Sequence, residues 1–198
     1  DTMVELIRAN VRTPDQTIGD IWAQISANEL MERRLLSLMD DYGLDSLADL
    51  GDELFARCER AMRDAIKAVP DGTYRYAMET DGVDVPFSFK IALGVRGDEI
   101  LADYAGTSPQ QPRAINCVLA YTYAMTAYAV RCALVPGLPN NEGMYRPVKV
   151  TAPEGSLLNA RPPAAVVAGN TETSSRIVDC LFAAFGRALD VPAQGQGT

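Results

Sequence analysis

The stretch PDGTYRYAMETDGVDVPFSFKIALGVRGDEILADY, residues 70–104, is where the period of the sequence changes. Tyr74, Tyr76 and Met78 alternate with Arg75, Ala77 and Glu79, and Phe87, Phe89, Ile91 and Leu93 alternate with Ser88, Lys90, Ala92 and Gly94. An extended chain sends successive side chains to opposite faces, so this pattern predicts two half-buried strands. Arg96-Gly97-Asp98 makes a tight connection to a third strand, Glu99 to Tyr104. The three form an antiparallel meander, and the loop Asp81-Gly82-Val83-Asp84 joins the first two and carries two acids.

Before this stretch the period is helical. Ile21, Trp22, Ile25, Met31, Leu35, Leu38 and Met39 suit a helix from about Gly19 to Asp40, stopped by Tyr42-Gly43 with the glycine at the C′ position. Ser46 and Asp49 open a second helix with the apolar stripe Leu47, Leu50, Leu54, Met62, Ala65, Ile66 and Val69. After the meander, Ile115 to Leu134 reads as a long helix apolar on several faces, hence central to a core. Pro147 to Ala152 is a short strand, and Thr171 to Leu189 a last helix with Ile177, Val178, Leu181, Phe182 and Phe185 facing in. The fold class is α+β: an antiparallel meander packed with long helices. It is expected as one domain over 1–198, with a helical hairpin at about 17–69, the sheet at about 73–104 and a helix and mixed region over 105–198.

Composition restricts the chemistry. The 198 residues include no histidine, so no imidazole ligand or general base exists. Eighteen Lys and Arg against 26 Asp and Glu leave a net charge of −8, which argues against a nucleic-acid binder. Cys58, Cys117, Cys132 and Cys180 form no CxxC pair and read as free thiols of a reduced, cytoplasmic compartment. The longest near-apolar run, Cys117 to Val130, is too short and polar to span a bilayer, and no membrane partner is expected. Both ends look cut: Asp1 to Asn10 resembles an element already under way, and Gln194 to Thr198 a turn with nothing after it.

Three polar loops carry the candidate site residues. Asp103 through Ser108 lies where a strand ends and a helix follows. Asp103 suits anchoring a cation or orienting the loop, and Thr107 and Ser108 suit donating to an anion, although all three equally serve as caps. Asn116, if buried, must find a hydrogen-bond partner. In the second loop Asn141 and Glu142 precede Arg146, whose fixed fork suits a carboxylate or phosphate and equally a loop-holding salt bridge. The third, Gly169 to Arg176, offers Asn170 and Thr171 at a positive helix end, with Glu172 and Arg176 spaced for an ion pair. No metal-ligand cluster is visible. If the loops converge, the cleft lies among them.

Arg12-Thr13-Pro14 with Gly19-Asp20, Pro70 to Tyr74, Asp103 to Ser108, Ile115-Asn116, Pro139 to Gly143, Arg146-Pro147, Pro153 to Ser156, Leu158-Asn159, Pro162 to Val166 and Gly195 to Thr198 follow in order along the chain. In that order and spacing the chain resembles the middle portion of the hydantoinase B/oxoprolinase family. That family takes in N-methylhydantoinase B subunits, the C-terminal half of 5-oxoprolinase and acetone carboxylase alpha subunits. The resemblance implies one component of an ATP-dependent hydrolase of hydantoin- or 5-oxoproline-type cyclic amides, working with a hydantoinase A-like, actin-like ATPase partner. A divalent metal and ATP are expected in the complete enzyme and none in this piece, which alone is expected inactive. It also carries over Asp103, Asn116, Asn141, Arg146 and Thr171 as candidates for structure or substrate contact. With the residues of the three loops, the expected set is Asp103, Glu142 and Arg146 for catalysis and Thr107, Ser108, Asn116, Asn141, Asn170 and Thr171 for substrate binding. A homo-oligomer is compatible with the resemblance. The carboxylase branch and a non-catalytic assembly domain are the competing readings.

Overall fold

The computed structural model describes residues 2–82 and 85–191. Asp1, Val83, Asp84 and residues 192–198, with them the expected closing turn Gln194 to Thr198, lie outside them. The chain divides into two compact units, Asp1–Asp52 and Glu53–Thr198.

In the first unit, α1 (Thr2–Asn10) packs on α2 (Pro14–Tyr42). Helix α2 starts five residues before the expected Gly19. Pro14 stands at its first position, where a missing N–H costs nothing, and Thr17 donates back to the Thr13 carbonyl at 3.0 Å. Arg8 and Asp15 join the two helices at 2.7 Å. Gly43 ends α2 as expected, at φ 62°, with its N–H on the Asp40 carbonyl. The apolar stripe does not form a core face here. Only Ile18 of α2 is buried, while Trp22, Ile25, Met31, Leu35 and Leu38 remain 38–57% exposed.

Helix α3 (Ala48–Lys67) begins where Ser46 Oγ accepts the Ala48 N–H at 3.1 Å. Leu50 and Leu54 stay exposed, and the buried stripe comes from Cys58, Met62 and Ile66, one turn apart.

The second unit is built on a sheet of strands β1 (Gly72–Thr80), β2 (Phe87–Arg96), β3 (Glu99–Asp103) and β4 (Val148–Thr151), in that order. The first three make the expected antiparallel meander, with Tyr74 opposite Leu93 and Leu93 opposite Ala102. The expected fourth strand joins β3 in parallel, Ile100 beside Val148. A parallel neighbour needs a long crossover, here residues 104–147 carrying α4 (Leu119–Leu134). One sheet face presents Phe89, Ile91, Leu93, Val95, Ile100 and Ala102 to the core. Helix α5 (Ser174–Phe185) packs against β1, β2 and α4, burying Ile177, Val178, Leu181 and Phe185. The other face carries Arg75, Lys90, Ala92, Gly94, Arg96 and Leu101, and Leu101 is 43% exposed.

Helix α4 starts at Leu119 and not Ile115, and α5 at Ser174 and not Thr171. Residues before α4 are committed elsewhere: Cys117 N–H bonds the Leu157 carbonyl at 2.8 Å and Ala160 N–H the Cys117 carbonyl at 2.9 Å. Such pairings offer the backbone an alternative to the helix. Within α4 the buried hydroxyls are satisfied: Thr122 Oγ1 donates to the Leu158 carbonyl, and Thr126 meets the Tyr104 hydroxyl, each at 2.7 Å.

Candidate functional site

Asn116 organises two of the three polar loops. Fully buried, it accepts the Gln111 N–H at 2.7 Å on Oδ1. Its Nδ2 donates to the carbonyls of Gln111, Arg113 and Ala165, all at 2.9 Å. The Ala168 N–H reaches the Ala114 carbonyl at 2.7 Å, and the Thr173 hydroxyl donates to the Ile115 carbonyl. Gly169 passes so close that a β-carbon there would sit 2.3 Å from the Asn116 carbonyl oxygen, so only glycine fits. Gly169–Thr173 forms one wide helical turn leading into α5, with the Ser174 N–H on the Gly169 carbonyl five residues back. Turns of this kind recur at functional sites.

Against this knot lies a cavity of about 530 Å³, a size suited to a small molecule. Phe87 and Phe89, packed edge to face at 5.7 Å, contribute apolar surface to it from the sheet. Gln111, Arg113 and Ile115 wall one side, and Glu172, Thr173 and Arg176 another. Asp81 adds a carboxylate at the hairpin loop. The cavity therefore joins an apolar surface to two guanidinium groups. Arg176 pairs with Asp179, 3.6 Å away on the next turn of α5, where the sequence spacing had pointed to Glu172. Asp179 is 12% exposed, its Oδ1 has no hydrogen-bond partner, and burial pushes its carboxyl above the usual range while Arg176 pulls it back. The signal was an acid three residues after an arginine in an otherwise apolar helix.

The expected site residues do not all gather here. Asn116 holds the wall without lining the cavity. Asn170 and Thr171 sit on the wide turn beside Glu172, where the Asn170 carbonyl accepts from Ser174 Oγ at 2.8 Å and Thr171 Oγ1 donates to Ala168 at 3.2 Å. Thr107 and Ser108 stitch the chain to β2: Thr107 Oγ1 accepts the Lys90 N–H at 3.1 Å and Ser108 Oγ the Ser88 N–H at 2.9 Å. Asp103 Oδ1 accepts from the Ala105 N–H at 3.0 Å and the Thr151 hydroxyl at 3.1 Å, fixing the turn after β3.

The loop with Asn141, Glu142 and Arg146 packs on α3 instead. Asn141 Nδ2 meets Cys58 Sγ at 3.0 Å, and Arg146 bonds Glu59 at 3.1 Å, approaches Glu142 at 3.9 Å and covers the Phe55 ring at 5.7 Å. Hydrogen bonds from Arg63 and Arg146 hold Glu59 below the usual carboxylate range.

Nucleophilic chemistry by Cys117 and Cys180 is closed off, because burial pushes both up to about 12 and keeps them protonated. Among the described residues no three His, Cys, Asp or Glu side chains converge as metal ligands. No described helix is long and apolar enough to cross a membrane.

A meander with one parallel strand, backed by α5, and a cavity at the loop knot that is lined by apolar, acidic and guanidinium side chains define an α+β module. The sequence profile of the hydantoinase B/oxoprolinase family matches residues 1–198, and the chain belongs to that family. Over 199 residues it is 31% identical to the B component of a putative D-/L-hydantoinase from Pseudomonas sp. (strain NS671), covering 93% of this chain and 33% of that protein. The crystal structure of the ATP-dependent caprolactamase from Pseudomonas jessenii superposes with a TM-score of 0.82 at 31% identity, over 96% of this chain and 33% of that one. A nucleotide-free acetone carboxylase structure shares the fold, with a TM-score of 0.59 at 15% identity over 66% of this chain and 19% of that one. The chain thus spans about a third of the length of the first two.

Proposed function

We propose that this chain forms part of a hydantoinase B-type subunit that opens small cyclic amides of the hydantoin or 5-oxoproline kind, with ATP and an actin-like ATPase partner subunit or domain. The observation that carries the reading is the likeness to an ATP-dependent caprolactamase along 96% of the chain. The cavity agrees with it. A lactam is an apolar ring bearing one strongly polar carbonyl, and Phe87 and Phe89 offer surface for the first while Arg113 and Arg176 offer donors for the second.

Amide resonance makes the carbonyl carbon a poor electrophile, and charge builds on its oxygen as the ring opens. Fixed cationic donors aimed at that oxygen lower the barrier, and losing one costs on the order of 10²-fold or more in rate. ATP in the whole enzyme would supply activation of the carbonyl. The chain's own residues bind, orient and stabilise charge. The catalytic candidates Asp103, Glu142 and Arg146 line no part of this cavity, and in this reading they are structural: Asp103 fixes the turn after β3, and Arg146 fastens its loop to α3. The carboxylase branch has only the shared fold in its favour.

The test is an assay of the intact subunit with its ATPase partner on hydantoin, 5-oxoproline and caprolactam, with and without ATP. ATP-dependent ring opening is expected, and Arg176→Ala lowers kcat/KM about 100-fold with circular dichroism unchanged. Full activity of Arg176→Ala, or turnover of none of the three lactams, counts against the proposal.

A further inference from the structure

We infer that the outer face of the sheet holds a binding groove for a phosphate-type oxyanion, lined by Arg75, Lys90 and Arg187. This site is separate from the lactam cavity, whose lining shares none of these residues.

The register of the sheet builds it. Lys90 stands opposite Ala77 and Arg75 opposite Ala92, so each long cation faces a small residue across the β1–β2 ladder. The space left open is a groove of about 510 Å³, lined also by Arg187 from the turn after α5 and by Asp103. A second hollow of about 320 Å³ continues along the same face, sharing Arg75 and Asp103 and adding Arg96 and the Lys149–Glu99 ion pair. The stem of Lys90 lies along Gly106, where a β-carbon would come within 3.3 Å of its Cδ.

The charges are what point to a ligand. The chain has a net charge of −8, and acids are available for its cations. Elsewhere in this unit Arg63, Arg146, Lys149, Arg161 and Arg176 each have a carboxylate partner. Among the described residues Arg75, Lys90 and Arg187 form no ion pair and no side-chain hydrogen bond. Asp103 leans into the same groove, yet its Oδ1 is taken by the Ala105 N–H and the Thr151 hydroxyl. Three cations against one carboxylate leave a concave surface of net positive charge on an acidic protein. Such a surface concentrates small anions and raises their rate of encounter. Guanidinium forks with an ammonium match the oxygens of a phosphate. Three cations are too few for a nucleic-acid backbone, so free phosphate or a single phosphate tail fits.

The experiment titrates inorganic phosphate, and in a second arm ADP, into the 198-residue chain by calorimetry, with chloride holding ionic strength constant. Saturable binding in either arm is expected, and the tighter arm identifies whether free phosphate or a nucleotide tail is the source. Lys90→Gln and Arg187→Gln each weaken it about tenfold, and Asp103→Asn tightens it by removing the opposing charge. Arg176→Ala leaves it unchanged, which separates this site from the lactam cavity. All four changes lie at partly or fully exposed positions, and circular dichroism confirms the fold. Binding no stronger than that of chloride, or loss equally large in the distant exposed variant Arg57→Gln, overturns the inference.

Discussion

Asn116 shows what one side chain does for the site. Its four hydrogen bonds have no replacement in an apolar variant, and each buried group left bare costs about 1–3 kcal/mol. Asn116→Ala is expected to lower unfolding free energy by about 3 kcal/mol in urea titrations, and a loss under about 1 kcal/mol would contradict the assignment. That a buried amide needs partners was legible in the sequence. That one partner is Ala165, 49 residues on, was not. Asp179 makes a prediction of opposite character. Burial raises its carboxyl in the folded state, so the folded chain holds that proton to higher pH than the unfolded one. The proton stabilises the fold at low pH, and that contribution is lost as pH rises through the raised value. Asp179→Asn is therefore expected to gain stability relative to the native chain near neutral pH, the difference closing below pH of about 4. Melting curves across that range decide it, and a difference independent of pH would refute the assignment.

Among the elements, the meander was legible because a half-buried strand writes its two faces into alternate residues. Helix α2 was equally legible as a helix, but its stripe does not report burial: Trp22 is 51% exposed. Trp22 is the chain's one tryptophan, so its fluorescence reads this helix alone. The emission of the 198-residue chain is expected to be red-shifted and fully quenched by acrylamide. A blue-shifted, protected indole would show the stripe to be covered. The start of α4 was misjudged for a different reason. Apolar residues from Ile115 onward fit a helical period, but Cys117 pairs its backbone with Leu157 and Ala160. Periodicity carries no information about a competitor 40 residues away.

Across the whole molecule, the buried core and the site are separate in their chemistry. Cys117 and Cys180 belong to the core, where desolvation holds both as thiols. Their reaction with a disulfide reagent should need unfolding, so the rate is expected to rise steeply with denaturant in step with the global transition. Fast labelling in native buffer, placed at these two residues by mass spectrometry, would show the core to be open. The functional surfaces are made of segments far apart in sequence. The cavity draws on residues 80–82, on Val85, Phe87 and Phe89, and on the segments 111–115 and 172–176, and the anion groove on β1, β2 and the turn after α5. Of the three loops marked as site material, those holding Asn116 and Thr171 converge. The one holding Arg146 is fastened to α3 by Glu59 and Phe55.

By itself the sequence determined the element types, the α+β class, the lack of imidazole chemistry and the family. Each of these depends on local spacing, composition or motif order. Tertiary structure alone decided that β4 lies parallel to β3, that Arg113 and Arg176 share a cavity, and that Arg75, Lys90 and Arg187 line one groove with the single carboxylate of Asp103. These depend on which distant segments the crossover and the Asn116 knot bring together. Period and propensity describe what each residue prefers along its own element, whereas a site is fixed by which side chains meet across elements.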